Sequence, residues 1–136
     1  MLFLMSCSKA LESNQAFYEG NFKGGTLTWS NATASGTDPN FSFIVKDAGN
    51  NTVKVSVTTS APIPLKEFTL KLEAQSNTGG FNQYVFSQVE TVNSYKREAR
   101  FEVNNQQGIF SYKVEPVIFM PNGSPLIGVF IGNGFK

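Results

Sequence analysis

Chemistry in this chain would have to come from a short inventory of side chains. Its 136 residues contain no histidine and one cysteine, Cys7. Without histidine there is no Ser-His or Cys-His nucleophile pair and no imidazole general base. A lone cysteine can neither close an intramolecular disulfide nor build a zinc site. Two carboxylates could still cleave a glycoside, and Glu98 and Glu102 share one strand face. At ~3.4 Å per residue they lie about 13 Å apart, whereas glycosidase pairs sit roughly 5 to 9.5 Å apart. Asp38 and Asp47 are the only aspartates, and Asp47-Ala48-Gly49-Asn50-Asn51 lacks the alternating oxygen ligands and distal Glu of a calcium loop. Gly24-Gly25 and Gly79-Gly80 lack the Lys or following helix of a phosphate loop. The expectation is a protein that is not an enzyme, with no catalytic residues, no metal and no cofactor.

Charge narrows the partners. The net charge is +1 and charged residues make up 15% of the chain, with no stretch that concentrates Lys or Arg. The two arginines, Arg97 and Arg100, are interleaved with Glu98 and Glu102. Nucleic-acid binding needs a basic stripe that displaces counterions, so nucleic acid is not an expected partner.

The chain opens Met1-Leu2-Phe3-Leu4-Met5-Ser6-Cys7-Ser8-Lys9. An apolar run meeting Leu4-Met5-Ser6-Cys7 resembles the lipobox of bacterial lipoproteins, in which a small residue precedes a cysteine. The resemblance implies lipidation of Cys7 and a lipid-anchored address in the bacterial cell envelope, periplasmic or surface-exposed. Each buried CH₂ of an acyl chain contributes about 0.8 kcal/mol to such an anchor. Residues 1–6 then read as the remnant of a signal segment and residues 7–14 as the lipidated cysteine and a polar tether. Six residues precede Cys7 and none is basic, as when a recorded start lies downstream of the true one.

The elements that would position any site are strands. Thr26–Ser30, Phe41–Lys46, Val53–Thr58, Phe68–Ala74, Tyr95–Val103 and Phe110–Glu115 alternate apolar and polar residues with a period of two, although Ile44 breaks the pattern of the second run. Tyr95, Ala99, Phe101 and Val103 share one face, opposite Lys96, Glu98, Arg100 and Glu102, and this alternation favours a strand over a helix across 92–100. Gly and Asn clusters at 47–51, 77–80, 104–108 and 121–125 read as turns. Pro62 and Pro64 mark a non-strand connection, and Ser30–Asn40 reads as the longest loop. Residues 15–136 therefore form one all-β domain. The expected architecture is an immunoglobulin-like antiparallel β-sandwich of about seven to nine strands, with a small antiparallel barrel as the alternative.

One pattern fails to fit a two-layer sandwich. In Phe81–Val89, and again in 117–120 and 126–131, apolar residues occupy both faces. The surplus makes Tyr84, Phe86, Ile118, Met120, Ile127 and Val129 the candidate partner or ligand surface. The function expected from this is binding or assembly, through a protein partner or a second copy docking on the C-terminal strands. A carbohydrate-binding or adhesin module would need exposed aromatics in one plane. A fibre or virion subunit would need an open sheet edge. A small barrel carrying an apolar ligand would put the extra apolar face inside. An outer-membrane barrel fits less well, because the Lys96–Glu102 charges would have to line its lumen.

Overall fold

The computed structural model describes residues 17–31, 33–78, 81–105, 107–116 and 128–136. Its eight strands are β1 (Gly20–Asn31), β2 (Ser35–Gly49), β3 (Thr52–Thr58), β4 (Glu67–Thr78), β5 (Phe81–Val92), β6 (Tyr95–Asn104), β7 (Gln107–Pro116) and β8 (Gly128–Phe135). Each pairs antiparallel with the next, and β8 pairs back onto β1, closing an up-and-down barrel. The all-β reading and the strand number hold, but the sandwich is corrected to the barrel. Alternation cannot separate the two, since either one buries a single strand face. The pairing order decides it, because a sandwich needs crossovers between sheets whereas here each strand pairs with the next in sequence and the last with the first. Asn50-Asn51 and Asn93-Ser94 both take positive φ at two successive residues, the geometry of a two-residue hairpin that matches strand twist.

The expected loop at Ser30–Asn40 is mostly strand. Residues 35–38 pair with β1, and β2 meets β3 only from Ser42 onward. Pro39 therefore lies where one side of its strand carries no ladder, the place a residue without an N–H is tolerated. A bulge between Leu72 and Ala74 is the other departure from simple alternation. It leaves Leu72 packed on the core and turns Ala74 outward beside Val85.

The lumen is filled with aromatic rings. Phe22, Phe41, Phe43, Phe86, Phe101 and Phe110 are each at most 2% exposed. Phe22 stacks on Phe43 at 4.9 Å, and Phe101 meets both rings edge-on at 5.4 and 5.7 Å. Each such ring contributes about 1.5–3 kcal/mol by leaving water. They fit because β7 and β8 offer glycines toward the interior. A Cβ on Gly132 would lie 2.4 Å from the Phe41 ring, and one on Gly108 would lie 2.6 Å from Phe22. One end is closed by the chain before β1, where Phe17 and Tyr18 pack against Tyr84 at 5.3 and 5.5 Å. There Tyr18 donates to Asp47 Oδ1, and burial followed by that bond pushes its phenol up to about 12.

The outer wall is polar. Lys54 and Glu67 pair at 3.0 Å, and Arg100 reaches Glu73 at 3.7 Å, all four with well-exposed side chains. Such pairs add little stability, but they show that β3, β4 and β6 turn charge outward. A transmembrane barrel carries an apolar band outside and a polar lumen; this barrel has the reverse arrangement. Replacing Gly132 with Ala should drive a methyl into Phe41 and cost about 1–3 kcal/mol of stability. Chemical denaturation of the variant measures this, and an unchanged midpoint would contradict the packing described.

Candidate functional site

The filling of the barrel changes toward the end opposite Phe17. Continuous pairing through β5, β6, β7 and β8 stacks the inward residues in layers. The deepest of these holds Phe86, Phe101, Phe110 and Gly132. The next holds Gln88, Ala99, Tyr112 and Phe130, with Trp29 of β1 beside Phe130. The rim layer holds Glu90, Arg97, Val114 and Gly128. The interior thus passes from rings to a mixture of small, aromatic and charged groups, and space opens where Ala99 and Gly128 carry little bulk.

That space is a mouth with two lobes. The larger, about 300 Å³, is walled by Pro62, Tyr95, Arg97, Tyr112, Val114 and Phe130, among others. The smaller, about 170 Å³, lies beside Leu65, Phe68, Gln88 and Glu90. Arg97 and Tyr112 border both. The connection between β3 and β4 runs over the mouth, presenting Pro62 and Pro64 to one lobe and Leu65 to the other. Below, Phe68 and Phe130 flank Tyr112 with ring centroids at 5.1 and 6.3 Å, and Phe130 stacks on Trp29 at 6.5 Å.

The strap over the mouth is held by a buried acid. Asp38, 4% exposed, accepts from Thr59 Oγ1 at 2.6 Å, Ser60 N at 2.9 Å and Asn40 N at 2.9 Å. The Thr59 bond most of all holds its carboxyl below the usual carboxylate range, against the opposing effect of burial. Lys66 Nζ donates to the Thr59 carbonyl and closes the base of the strap, while Ala61 and Ile63 sink into the core.

Two polar groups at the mouth lack the partners that burial normally demands. The Tyr112 hydroxyl is shielded from solvent and has no hydrogen-bond partner among the described residues. Burial raises its pKa; the Arg97 charge opposes this and Glu90 adds to it. Arg97 occupies an inward position, in line with Ala99 and Phe101, and no carboxylate of the described residues lies within 4.0 Å of it. Its neighbours Lys96 and Arg100, on the outer face, both have such a carboxylate.

The residues expected to form a surface are dispersed. Tyr84 and Phe86, 3% and 2% exposed, belong to the interior toward the closed end and are corrected from surface to core. Val129 lies half-buried on the outer face of β8, opposite Ser30 and Lys113. Ile118, Met120, Ile127 and Cys7 fall outside the described residues. Val85 explains the double-faced pattern of β5: it points outward yet is 6% exposed, among Gln83, Ser87, Ala74 and Glu102. Gln83 bonds Glu102 and Ser87 bonds Glu73 around it. The exposed Ile44 and Val89 stand on β2 and β5, Leu65 on the strap, and Ile131 and Phe135 on β8 with Asn133 between them, so among the described residues the exposed large apolar side chains are scattered over the wall. Arg97 was the signal available in sequence: it is the one charged residue in phase with Tyr95, Ala99, Phe101 and Val103.

No family model and no curated protein matches the chain. A solved structure from Bacteroides fragilis, described as a "putative outer membrane protein", is similar in fold, with a TM-score of 0.57 at 16% sequence identity. The similarity covers 90% of this chain, which spans about half (52%) of that protein's length. At this identity the likeness establishes the fold.

Two substitutions should move stability in opposite directions. Tyr112→Phe removes a buried hydroxyl without a partner and should stabilise the protein by up to about 1–3 kcal/mol. Asp38→Asn should destabilise it by about 1–3 kcal/mol at neutral pH, because the charge-assisted bonds holding the strap are lost. Since the folded carboxyl of Asp38 titrates below its ordinary 3.8, its contribution is present above that pH and is lost as pH falls through the folded value. The gap between wild type and Asp38→Asn should therefore narrow below about pH 4. Urea denaturation across pH measures both effects; a destabilised Tyr112→Phe would mean that its hydroxyl has a partner.

Proposed function

We propose that this chain is a non-enzymatic protein of the bacterial cell envelope that holds a small, largely apolar molecule in the mouth of its barrel. The observation that carries this reading is the mouth itself: a concave site with aromatic and aliphatic walls and few polar groups, at the end of a rigid packed barrel. Its larger lobe, about 300 Å³, has about twice the volume of a protein cavity that accepts benzene (~150 Å³).

The competing readings lose their support. Closure of β8 onto β1 leaves no edge strand among the described residues for a strand from a neighbouring subunit to extend. The aromatics that a sugar would stack on are turned into the lumen, with Trp29 half-buried against Phe130. The outer face of β8 offers Ile131, Phe135 and half-buried Val129, interrupted by Asn133, in place of a broad apolar surface.

An envelope address is supported by the Leu4-Met5-Ser6-Cys7 motif and by the description of the Bacteroides fragilis protein. With charges on the outside of the barrel, attachment through lipidated Cys7 suits this wall better than insertion of its strands. Mass spectrometry of protein extracted from membranes should find Cys7 acylated at the N-terminus, and an unmodified Met1 would exclude the anchor. Binding is tested with 1-aminoanthracene, a neutral apolar fluorophore. Its emission should rise on addition of the protein, and Val114→Phe, which fills the larger lobe from the rim, should weaken binding at least about tenfold, or 1.4 kcal/mol. Equal binding by a folded Val114→Phe would place the dye elsewhere and contradict the reading.

A further inference from the structure

The mouth carries more than an apolar pocket requires, and its extra groups describe a ligand. An apolar guest alone would be served better by Phe than by a tyrosine whose hydroxyl is buried without a partner. It would also be served better by an aliphatic residue than by an arginine on the inward face of β6. Both groups border both lobes. Arginine offers a planar fork of donors and no acceptor, and a buried phenol kept protonated offers one further donor. Both donors line the larger lobe, which has no carboxylate among its described lining residues, and such a site is complementary to an anion.

From this we infer that the mouth binds a monoanionic amphipathic molecule, a small carboxylate with an apolar body. The carboxylate accepts from the Arg97 guanidinium and the Tyr112 hydroxyl, and the body lies in the larger lobe against Phe130, Val114 and Pro62. This rests on the reading of the mouth as a ligand site and specifies its chemistry. Charge placement selects the lobe. Among the described residues Arg97 is the sole charged one lining the larger lobe, whereas Glu67 and Glu90 front the smaller. Glu67 is paired with Lys54 on the outer face. Glu90 stands exposed at the rim, opposite Arg97 in the β5–β6 register. It is a like charge for the incoming carboxylate, so it limits affinity and leaves room for improvement by mutation.

The test compares two probes with the same tail, octanoate and 1-octanol, by calorimetry on the full domain. Octanoate should bind at least tenfold more tightly than octanol. Arg97→Met keeps an apolar stem and should abolish that preference. Tyr112→Phe should weaken octanoate three- to tenfold and narrow the preference. Glu90→Gln, an exposed change that leaves the core intact, should tighten octanoate two- to fivefold. Equal affinity for the two probes, or an octanoate affinity indifferent to both Arg97→Met and Glu90→Gln, overturns the anion inference while the pocket reading stands. If octanoate fails to bind while 1-aminoanthracene does, the inference falls alone. Silence from all three probes removes the pocket reading and this inference together.

Discussion

Closing an eight-stranded meander forces every inward side chain into one narrow lumen, and the rest of the structure follows from how that lumen is filled. Rings as large as Phe41 and Phe22 fit only because the facing positions on β8 and β7 are Gly132 and Gly108. The phenylalanines interlock with one another across the barrel, ring against ring. The charged residues that cannot enter this column are turned outward, which explains why the wall is wet and why isolated apolar residues on it need no partner.

The proposed site lies at the end where, among the described residues of β5 to β8, the filling of the barrel relaxes. The closed end is sealed by Phe17 and Tyr18. At the open end the layers contain Ala99, Gly128 and half-buried polar groups, beneath a strap held by Asp38. A rigid barrel below and a tethered strap above can hold a site in one geometry without a ligand present. The cost is an unpartnered hydroxyl on Tyr112 and an inward arginine, a local loss of stability of the kind that binding sites commonly carry.

Much of this architecture can be read from residue types. Period-two alternation marks the inward faces of β1, β3, β6 and β7, and Gly and Asn mark the turns. Closure is less legible, because alternation is identical in a sandwich and a barrel, and the pairing of β8 with β1 joins residues a hundred positions apart. Val85, buried on the outer wall among polar side chains, makes β5 read as double-faced, so that Tyr84 and Phe86 read as surface although they lie in the core. Phase alone could have placed Arg97 in the lumen, but its neighbouring glutamates suggested an exposed charged face. The lack of a partner at Tyr112 is a property of packing and has no counterpart in the sequence.

The central claim is that ligands enter the mouth and leave the outer wall untouched. Methyl NMR during titration with octanoate separates the two surfaces directly. Shifts are expected for Val114 at the rim and Ile63 in the strap, with Ile44, Val89 and Ile131 on the outer faces unmoved. Shifts confined to Val89 or Ile131, with Val114 silent, would contradict it.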